Sequence, residues 1–319
     1  MLAILIGLAV GNLLDIPAAI RSGLRFAQTH ILQLGIVLLG LKLSITEVGS
    51  FGLMSLPVIA GTIAVALLAV SFLSRRMGLP VRLGVLIGVG TSICGATAIV
   101  AIEPTIGARD EEVSYAVGCI ALFGMVAMLV YPFAAHWLFH GDAVRSGIFL
   151  GTAVHDTAQV IGAGMAYQQY YDTGRTLEIA TVTKMVRNLA MIALIPAMAF
   201  IHRPVGSAGS VAPRWYTMMP LFVVGFAAMS LLRSVGDDTA VSTAGRTLVF
   251  GFLDIEQWHA AIGVAARVAE VLLATAMGAV GLSTRFQALR SMGFRPLAVA
   301  LVCALLVGAV SAVITSVMG

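Results

Sequence analysis

Gly88-Val-Gly-Thr-Ser-Ile-Cys-Gly-Ala-Thr-Ala98 sets three glycines and four small hydroxyl or thiol side chains inside an otherwise apolar, helix-length segment. A continuous lipid-facing helix has no use for that composition. In hydrocarbon every backbone N–H and C=O must find a partner within the protein, so a glycine-rich interruption is tolerated only where it is buried or lines a wet cavity. A break of this kind leaves helix ends at membrane depth, where ions or substrates can be held. The other reading is that Gly88, Gly90 and Gly95 let neighbouring helices pack closely. The stretch by itself leaves both open.

Around it, the 319 residues are 59% hydrophobic and only 11% charged, with a mean hydropathy of +1.00. That combination excludes an ordinary soluble domain and gives an all-α polytopic membrane protein. Cutting at charged or Pro/Gly-rich breaks leaves about ten segments long enough to span a bilayer. They are 2–14, 31–49, 56–74, 82–105, 113–138, 146–165, 177–201, 215–233, 258–283 and 296–318. The first is short and starts inside an apolar run, as expected of a half-helix or of a shortened N-terminus. It lacks the basic flank of a signal peptide.

The net charge of +4 reads as membrane topology, with the lipid bilayer and not nucleic acid as partner. With strict alternation, one face receives eleven arginines: Arg21, Arg25, Arg75, Arg76, Arg82, Arg145, Arg203, Arg214, Arg285, Arg290 and Arg295. The other receives Arg109, Arg175, Arg233 and Arg246, and the positive-inside rule makes the first face cytoplasmic. Cys94, Cys119 and Cys303 are scattered through apolar segments and offer neither a disulfide framework nor a metal spacing. With no P-loop, dinucleotide fingerprint or zinc-protease motif, the expectation is a non-enzyme without metal or cofactor, save Na⁺ or H⁺ as a coupling ion.

Segment 146–165 repeats the pattern of the opening stretch in Gly151-Thr-Ala-Val-His-Asp-Thr-Ala-Gln-Val-Ile-Gly-Ala-Gly164. Gly90-Thr91 aligns with Gly151-Thr152, Cys94-Gly95 with His155-Asp156, and Ala98 with Gln159. His155, Asp156, Thr157 and Gln159 are four polar groups in an apolar run, and ionisable residues inside a membrane are functional candidates by default. Segment 177–201 adds Thr181, Thr183, Lys184, Arg187 and Asn188. The last three stand at i, i+3 and i+4, on one helical face. Two buried cations need a counter-charge, either a fixed carboxylate such as Asp156 or a passing anion.

Elsewhere the sequence reads as framework. Lys42 snorkels to the interface or faces a cavity. Arg109-Asp-Glu-Glu112 suits the start of a helix, segment 113–138 is scaffold, and the Pro/Gly/Ser-rich loop 202–214 divides two halves. Region 234–257, with Asp237, Asp238, Arg246, Asp254 and Glu256, is the longest polar connection, and Leu248–Leu253 within it is placed at the interface. Arg267 and Glu270 are spaced to pair with each other, which leaves Glu270 a coupling role only as the second reading. Ala276-Met-Gly-Ala-Val-Gly-Leu-Ser283 echoes Ile36-Val-Leu-Leu-Gly-Leu-Lys-Leu43 on segments counted as running in opposite directions, as an inverted repeat requires. The echo between 82–105 and 146–165 does not fit that scheme, because two even-numbered spans run parallel.

At Gly90-Thr-Ser-Ile-Cys-Gly95, Gly151 to Gly164 and Lys184-Met-Val-Arg187 the chain resembles the YeiH family, bacterial inner-membrane proteins described as sulfate exporters. The likeness runs nearly end to end and includes Leu34–Leu43, Glu111-Glu-Val-Ser-Tyr-Ala116 and Gly281-Leu-Ser-Thr284. It implies a secondary transporter related in fold to cation/proton antiporters and bile-acid sodium symporters, with inverted repeats, a panel domain and a core domain of interrupted helices. On that basis residues 1–319 form one transporter unit, with core candidates in 82–201, interrupted near 90–97 and 151–159, and panel candidates in 1–74 and 215–319. A homodimer follows by the same analogy. Two departures stand out: Ala96-Thr97 replaces a small or amide residue followed by Ser, and Asp156 replaces Glu. The family also extends further at the N-terminus, in keeping with a shortened start here.

The expected function is export of a small anion, such as sulfate, a sulfonate or a related oxyanion, by alternating access. Backbone N–H groups of 90–97 and the hydroxyls of Thr91, Ser92 and Thr97 would take the anion, as helix N-termini do. Cys94, Gly95, His155, Thr157, Gln159 and Asn188 would line the site, with Lys184 and Arg187 as its charges. Proton or sodium coupling is assigned to His155, Asp156 or Glu270. The alternatives are a cation/proton antiporter working through Asp156 and a membrane sensor or scaffold in which the polar cluster is a lock. A Cys94–His155 catalytic dyad has no orienting motif behind it.

Overall fold

Six helices among the described residues are long and apolar enough to cross a bilayer: Ala19–Lys42, Ile45–Arg76, Asp110–Phe139, Thr176–His202, Ile255–Ser283 and Phe294–Val317. The structure, a computed structural model, describes residues 2–14, 16–171, 174–202, 220–243, 246–284 and 293–318. Most of the expected loop 202–214, together with Arg203, Arg214, Arg285 and Arg290, lies outside them. Four of the ten expected segments are not among the six. Helix α1 (Leu2–Leu13) has 12 residues, about 18 Å at the usual rise and short of a bilayer core. The segment expected at 215–233 is a helix of 18 residues, Leu221–Asp238, that ends on Arg233, Asp237 and Asp238. Segments 82–105 and 146–165 do not cross at all; each folds back on itself.

The chain divides into two compact units, residues 1–53 with 220–284, and residues 54–219 with 285–319. In the first, α2 (Ala18–Phe26) passes through a π-turn at Ala27–Ile31 into α3 (Leu32–Leu39). Gln28 Nε2 donates to Ala279 O at 2.8 Å, and Gly35 meets Leu273 and Ala269. The two echoing segments therefore run antiparallel, as the expected repeat requires. Gly7 and Gly11 of α1 face Gly278, Gly281 and Leu282 so closely that any Cβ would collide with backbone, the close approach by which helices associate in lipid. Between Leu221–Asp238 and Ile255–Ser283 lies an antiparallel sheet of Val241–Thr243, Arg246–Val249 and Leu253–Asp254, taken in chain order. The stretch 248–253 is thus the end of one short strand and the turn into the next. Arg267 and Glu270 both point outward and do not pair. Exposed pairs gain little from closing.

Helix α4 (Ile45–Arg76), which belongs to the second unit from Met54 onward, leads into α5 (Val81–Ser92), then α6 (Ala96–Ile106), then the 30-residue α7 (Asp110–Phe139). A Cβ on Gly90 would lie 2.8 Å from Ile99 Cδ1. A straight helix would separate nine residues by about 13 Å, so the chain turns back at Ile93–Gly95. The same Gly90 meets Ile120, ten residues up α7, and the eleven residues of α6 return the chain to where α7 begins. Met77, Leu79, Leu83, Ile106, Ala108 and Val113 then share one apolar cluster. Helices α5 and α6 are a re-entrant hairpin with both feet at one end.

The next pair, α8 (Ala143–Ala153) and α9 (Thr157–Tyr171), does the same from the other end of α7. Helix α10 (Thr176–Leu189) fixes the directions. Gly147 meets Ile179 and Gly151 meets Thr183, so α8 runs parallel to α10. Gly164 meets Leu177 and Asn188 Nδ2 donates to Thr157 Oγ1 at 3.2 Å, so α9 runs antiparallel to it. Ser146 Oγ donates to Tyr167 Oη at 3.0 Å and closes the feet of this hairpin. Two hairpins entering from opposite ends are inverted copies, which removes the conflict between the sequence echoes. It also moves Arg109 to the end that carries Arg75, Arg76 and Arg82, and moves Arg145 away from them to the end of Arg175. After α10 the chain kinks at Ala190 into α11 (Met191–His202), and Phe294–Val317, here α12, completes the unit.

Candidate functional site

The two hairpin tips meet, and each tip has two poles. At one, the carbonyls that end α5 and α8 have no further turn to bond to; at the other, the first N–H groups of α6 and α9 have no preceding turn to bond to. The carbonyl ends carry partial negative charge and the amide ends partial positive charge.

The carbonyl pole is closed by α10. Arg187 Nε donates to Ser92 O at 2.9 Å, Nη1 to Thr152 O at 2.6 Å and Val154 O at 3.3 Å, and Nη2 to Thr91 O at 2.5 Å. Lys184 Nζ donates to Ile93 O at 2.9 Å, to Val154 O at 3.4 Å and to His155 O. Both cations are 0% exposed. The planar fork of arginine suits it to bridge carbonyls from two helices at once, while the lysine ammonium acts as a point donor. The partners of the Lys184–Arg187 face are therefore six carbonyl oxygens, three from each hairpin. Thr91 and Ser92 belong to this pole as well, and their hydroxyls donate back along α5 to Ile87 O at 2.7 Å and Gly88 O at 2.5 Å.

The amide pole is more open. Gly95, with φ of +71°, precedes α6, and Asp156 stands at the equivalent place before α9. Asp156 Oδ1 accepts from Ala158 N at 2.9 Å, a side-chain cap on the helix N-terminus. Its Oδ2 lies 3.1 Å from where a Cβ on Gly95 would stand. The carboxylate thus occupies room that glycine leaves, between the two amide ends. Thr97 is exposed and Asp156 and Thr157 are half-buried. Asn188 joins them from α10 through its bond to Thr157, and its Oδ1 is buried without a hydrogen-bond partner.

The other expected site residues have structural neighbours. Cys94 Sγ points at Met191 Sδ, 3.2 Å away. His155 is 1% exposed, with Nδ1 buried and unpartnered. Gln159 braces the second hairpin to α7: its Nε2 donates to Ala121 O at 3.0 Å and its Oε1 accepts from Asp156 N at 3.4 Å. That brace exists because Gly124 has no side chain, since a Cβ there would overlap the Gln159 amide. The expectation of scaffold for segment 113–138 missed this residue, whose signal was the glycine between Phe123 and Met125. Glu270 belongs to the other unit and is exposed on Ile255–Ser283.

Comparison with known proteins identifies the family. The family model named Conserved hypothetical protein 698 matches residues 1–300. The chain belongs to this family. A UPF0324 membrane protein of Fusobacterium nucleatum is 30% identical over 324 residues, covering 99% of this chain and 90% of its own length. A UPF0324 membrane protein of Streptococcus pneumoniae is 32% identical over 94% of this chain and 84% of its own length, and one of Agrobacterium fabrum is 30% identical over 98% and 82%. YeiH denotes the same family. Its members are named as membrane proteins, and with six spanning-length helices this chain is a multi-pass bacterial membrane protein. No solved structure matches it.

Proposed function

We propose that this protein is a secondary active transporter that exports a small anion, such as sulfate, a sulfonate or a related oxyanion, by alternating access. The observation that carries the reading is the pair of inverted re-entrant hairpins whose tips meet with one pole sealed and the other open. Interrupted helices meeting inside a membrane unit are where secondary transporters hold substrate, with amide ends directed at anionic groups. The substrate would lie between the first turns of α6 and α9, against the hydroxyls of Thr97 and Thr157 and the amide of Asn188. Asp156 occupies the same place, so substrate and ionised carboxylate compete for one positive field. Protonation of Asp156 would favour the anion, and that competition is a route to proton coupling. The unit made of residues 54–219 and 285–319 would be the moving core and the other unit the panel. By the positive-inside rule the end with Arg75, Arg76, Arg82 and Arg109 faces the cytoplasm.

A cation/proton antiporter is the second reading. It is favoured by one fact: the donors of Lys184 and Arg187 are directed at carbonyls, so Asp156 is the charged group left at the open pole. Melting temperature of the detergent-solubilised protein against sulfate, sulfite, sulfonates, dicarboxylates and chloride separates the two. An anion carrier is stabilised by its substrate, and the shift disappears in a Thr97→Val, Thr157→Val double variant. Stabilisation by pH or Na⁺ alone, abolished by Asp156→Asn, overturns the anion reading in favour of antiport.

A further inference from the structure

The carbonyl pole has the chemistry of a cation site. Backbone oxygens at the ends of broken helices, shielded from water, are the groups with which membrane transporters ligate Na⁺. Here Ile93, Val154 and His155 direct their carbonyls at one point from two hairpins, and Thr91, Ser92 and Thr152 stand beside them. That point is occupied by Lys184 Nζ. Arg187 shares the Val154 carbonyl with it, so a third positive charge would sit within a few ångströms of two others in a water-poor interior.

We propose that Lys184 is a tethered cation standing where a coupling Na⁺ would otherwise bind, so that coupling in this protein does not use Na⁺. The inference deepens the transporter reading given above and rests on it. A free coupling ion joins two tips when it arrives and releases them when it leaves. A lysine ammonium performs the first task permanently, and the carbonyl pole stays closed throughout the cycle. Any opening and closing of the tips is then confined to the amide pole, at Gly95–Thr97 and Asp156–Thr157.

The experiment uses the purified whole chain in choline, sodium, potassium or methylammonium chloride at one ionic strength. Wild-type melting temperature, and its response to sulfate, should be the same in all four salts. Lys184→Ala opens both the site and the space of the lysine stem; it should melt lower than wild type in choline and recover in at least one of the three smaller cations. Lys184→Met removes the charge but fills the stem, and should melt low in every salt. A sodium-dependent wild type, a Lys184→Ala variant as stable as wild type in choline, or one that none of the three cations rescues, overturns the proposal. Should Lys184→Ala fail to fold in any salt, the wild-type sodium response alone decides. Rescue of Lys184→Ala without any anion response in wild type would sustain the tethered cation while refuting the anion carrier.

Discussion

The two hairpin tips share a carbonyl pattern in their first half and diverge in the second, most sharply at Gly95 and Asp156. Thr91 and Thr152 both offer a carbonyl to Arg187, and Ile93 and Val154 both offer one to Lys184, while Ser92 serves Arg187 from the first tip alone and His155 serves Lys184 from the second alone. At the next turn the first hairpin has Gly95 and the second Asp156. One tip is emptied so that the other can place an acid between the two amide ends. The lesson is that the carbonyl pole is a lock to which both tips contribute at matched positions, whereas the carboxylate that distinguishes them sits at the amide pole.

The carbonyl half should be the most costly to disturb. Arg187→Met leaves the Thr91, Ser92 and Thr152 carbonyls without a partner and Val154 O with Lys184 alone, a loss of about 3–5 kcal/mol by analogy with broken buried charge interactions. Thermal unfolding should show the largest fall in melting temperature of any single tip substitution; a variant as stable as wild type would mean that the lock is unnecessary. Gly124→Ala comes next, because its Cβ occupies the place of the Gln159 amide, at about 2–3 kcal/mol for overpacking. Combined with Gln159→Ala, the Gly124→Ala penalty should shrink, and strict additivity in that double-mutant cycle would break the brace.

The asymmetric residue of the first tip should matter less for folding. Gly95→Ala puts a side chain at φ +71°, ψ −126°, outside the left-handed helical well, and against Asp156, a strain of about 1–3 kcal/mol, and should weaken the sulfate-induced melting shift beyond its effect on stability. An unchanged shift would show that the room left by Gly95 serves no ligand. Smallest of all is Asp156→Asn, since asparagine caps a helix about as well as aspartate and the cost should stay under about 1 kcal/mol. Its expected signature is functional: stability nearly unchanged, with any pH dependence of sulfate stabilisation removed. Persistence of that pH dependence would take Asp156 out of the coupling role.

Much of this site is legible in the sequence. The glycine pattern locates both tips, the Gly90-Thr91 and Gly151-Thr152 echo pairs the correct residues, and the i, i+3, i+4 spacing puts Lys184, Arg187 and Asn188 on one face. Hydropathy, however, measures only length. A 12-residue and an 11-residue half-helix joined by Ile93–Gly95 are as apolar as a 24-residue span, and nothing in composition distinguishes crossing from turning back. For the same reason the expected alternation of faces misplaced Arg109 and Arg145. The partners of the cations were illegible because backbone carbonyls are present at every residue, and which of them are orphaned depends on where a helix stops. Thr91 and Ser92, read as anion ligands, lie on the carbonyl side of the break by only three or four residues.

Sided cysteine labelling tests the central claim, that these two segments are inverted re-entrant hairpins. In a background lacking Cys94, Cys119 and Cys303, single cysteines replace Arg76 or Arg109, at the two feet of the first hairpin, and Asp142 or Gly174, at the two feet of the second. An impermeant thiol reagent applied to one side of the membrane should label Arg76→Cys and Arg109→Cys together, and Asp142→Cys and Gly174→Cys together only from the opposite side. Labelling of Arg76→Cys and Arg109→Cys from opposite sides would mean that the segment crosses, and would contradict the fold on which the site is built.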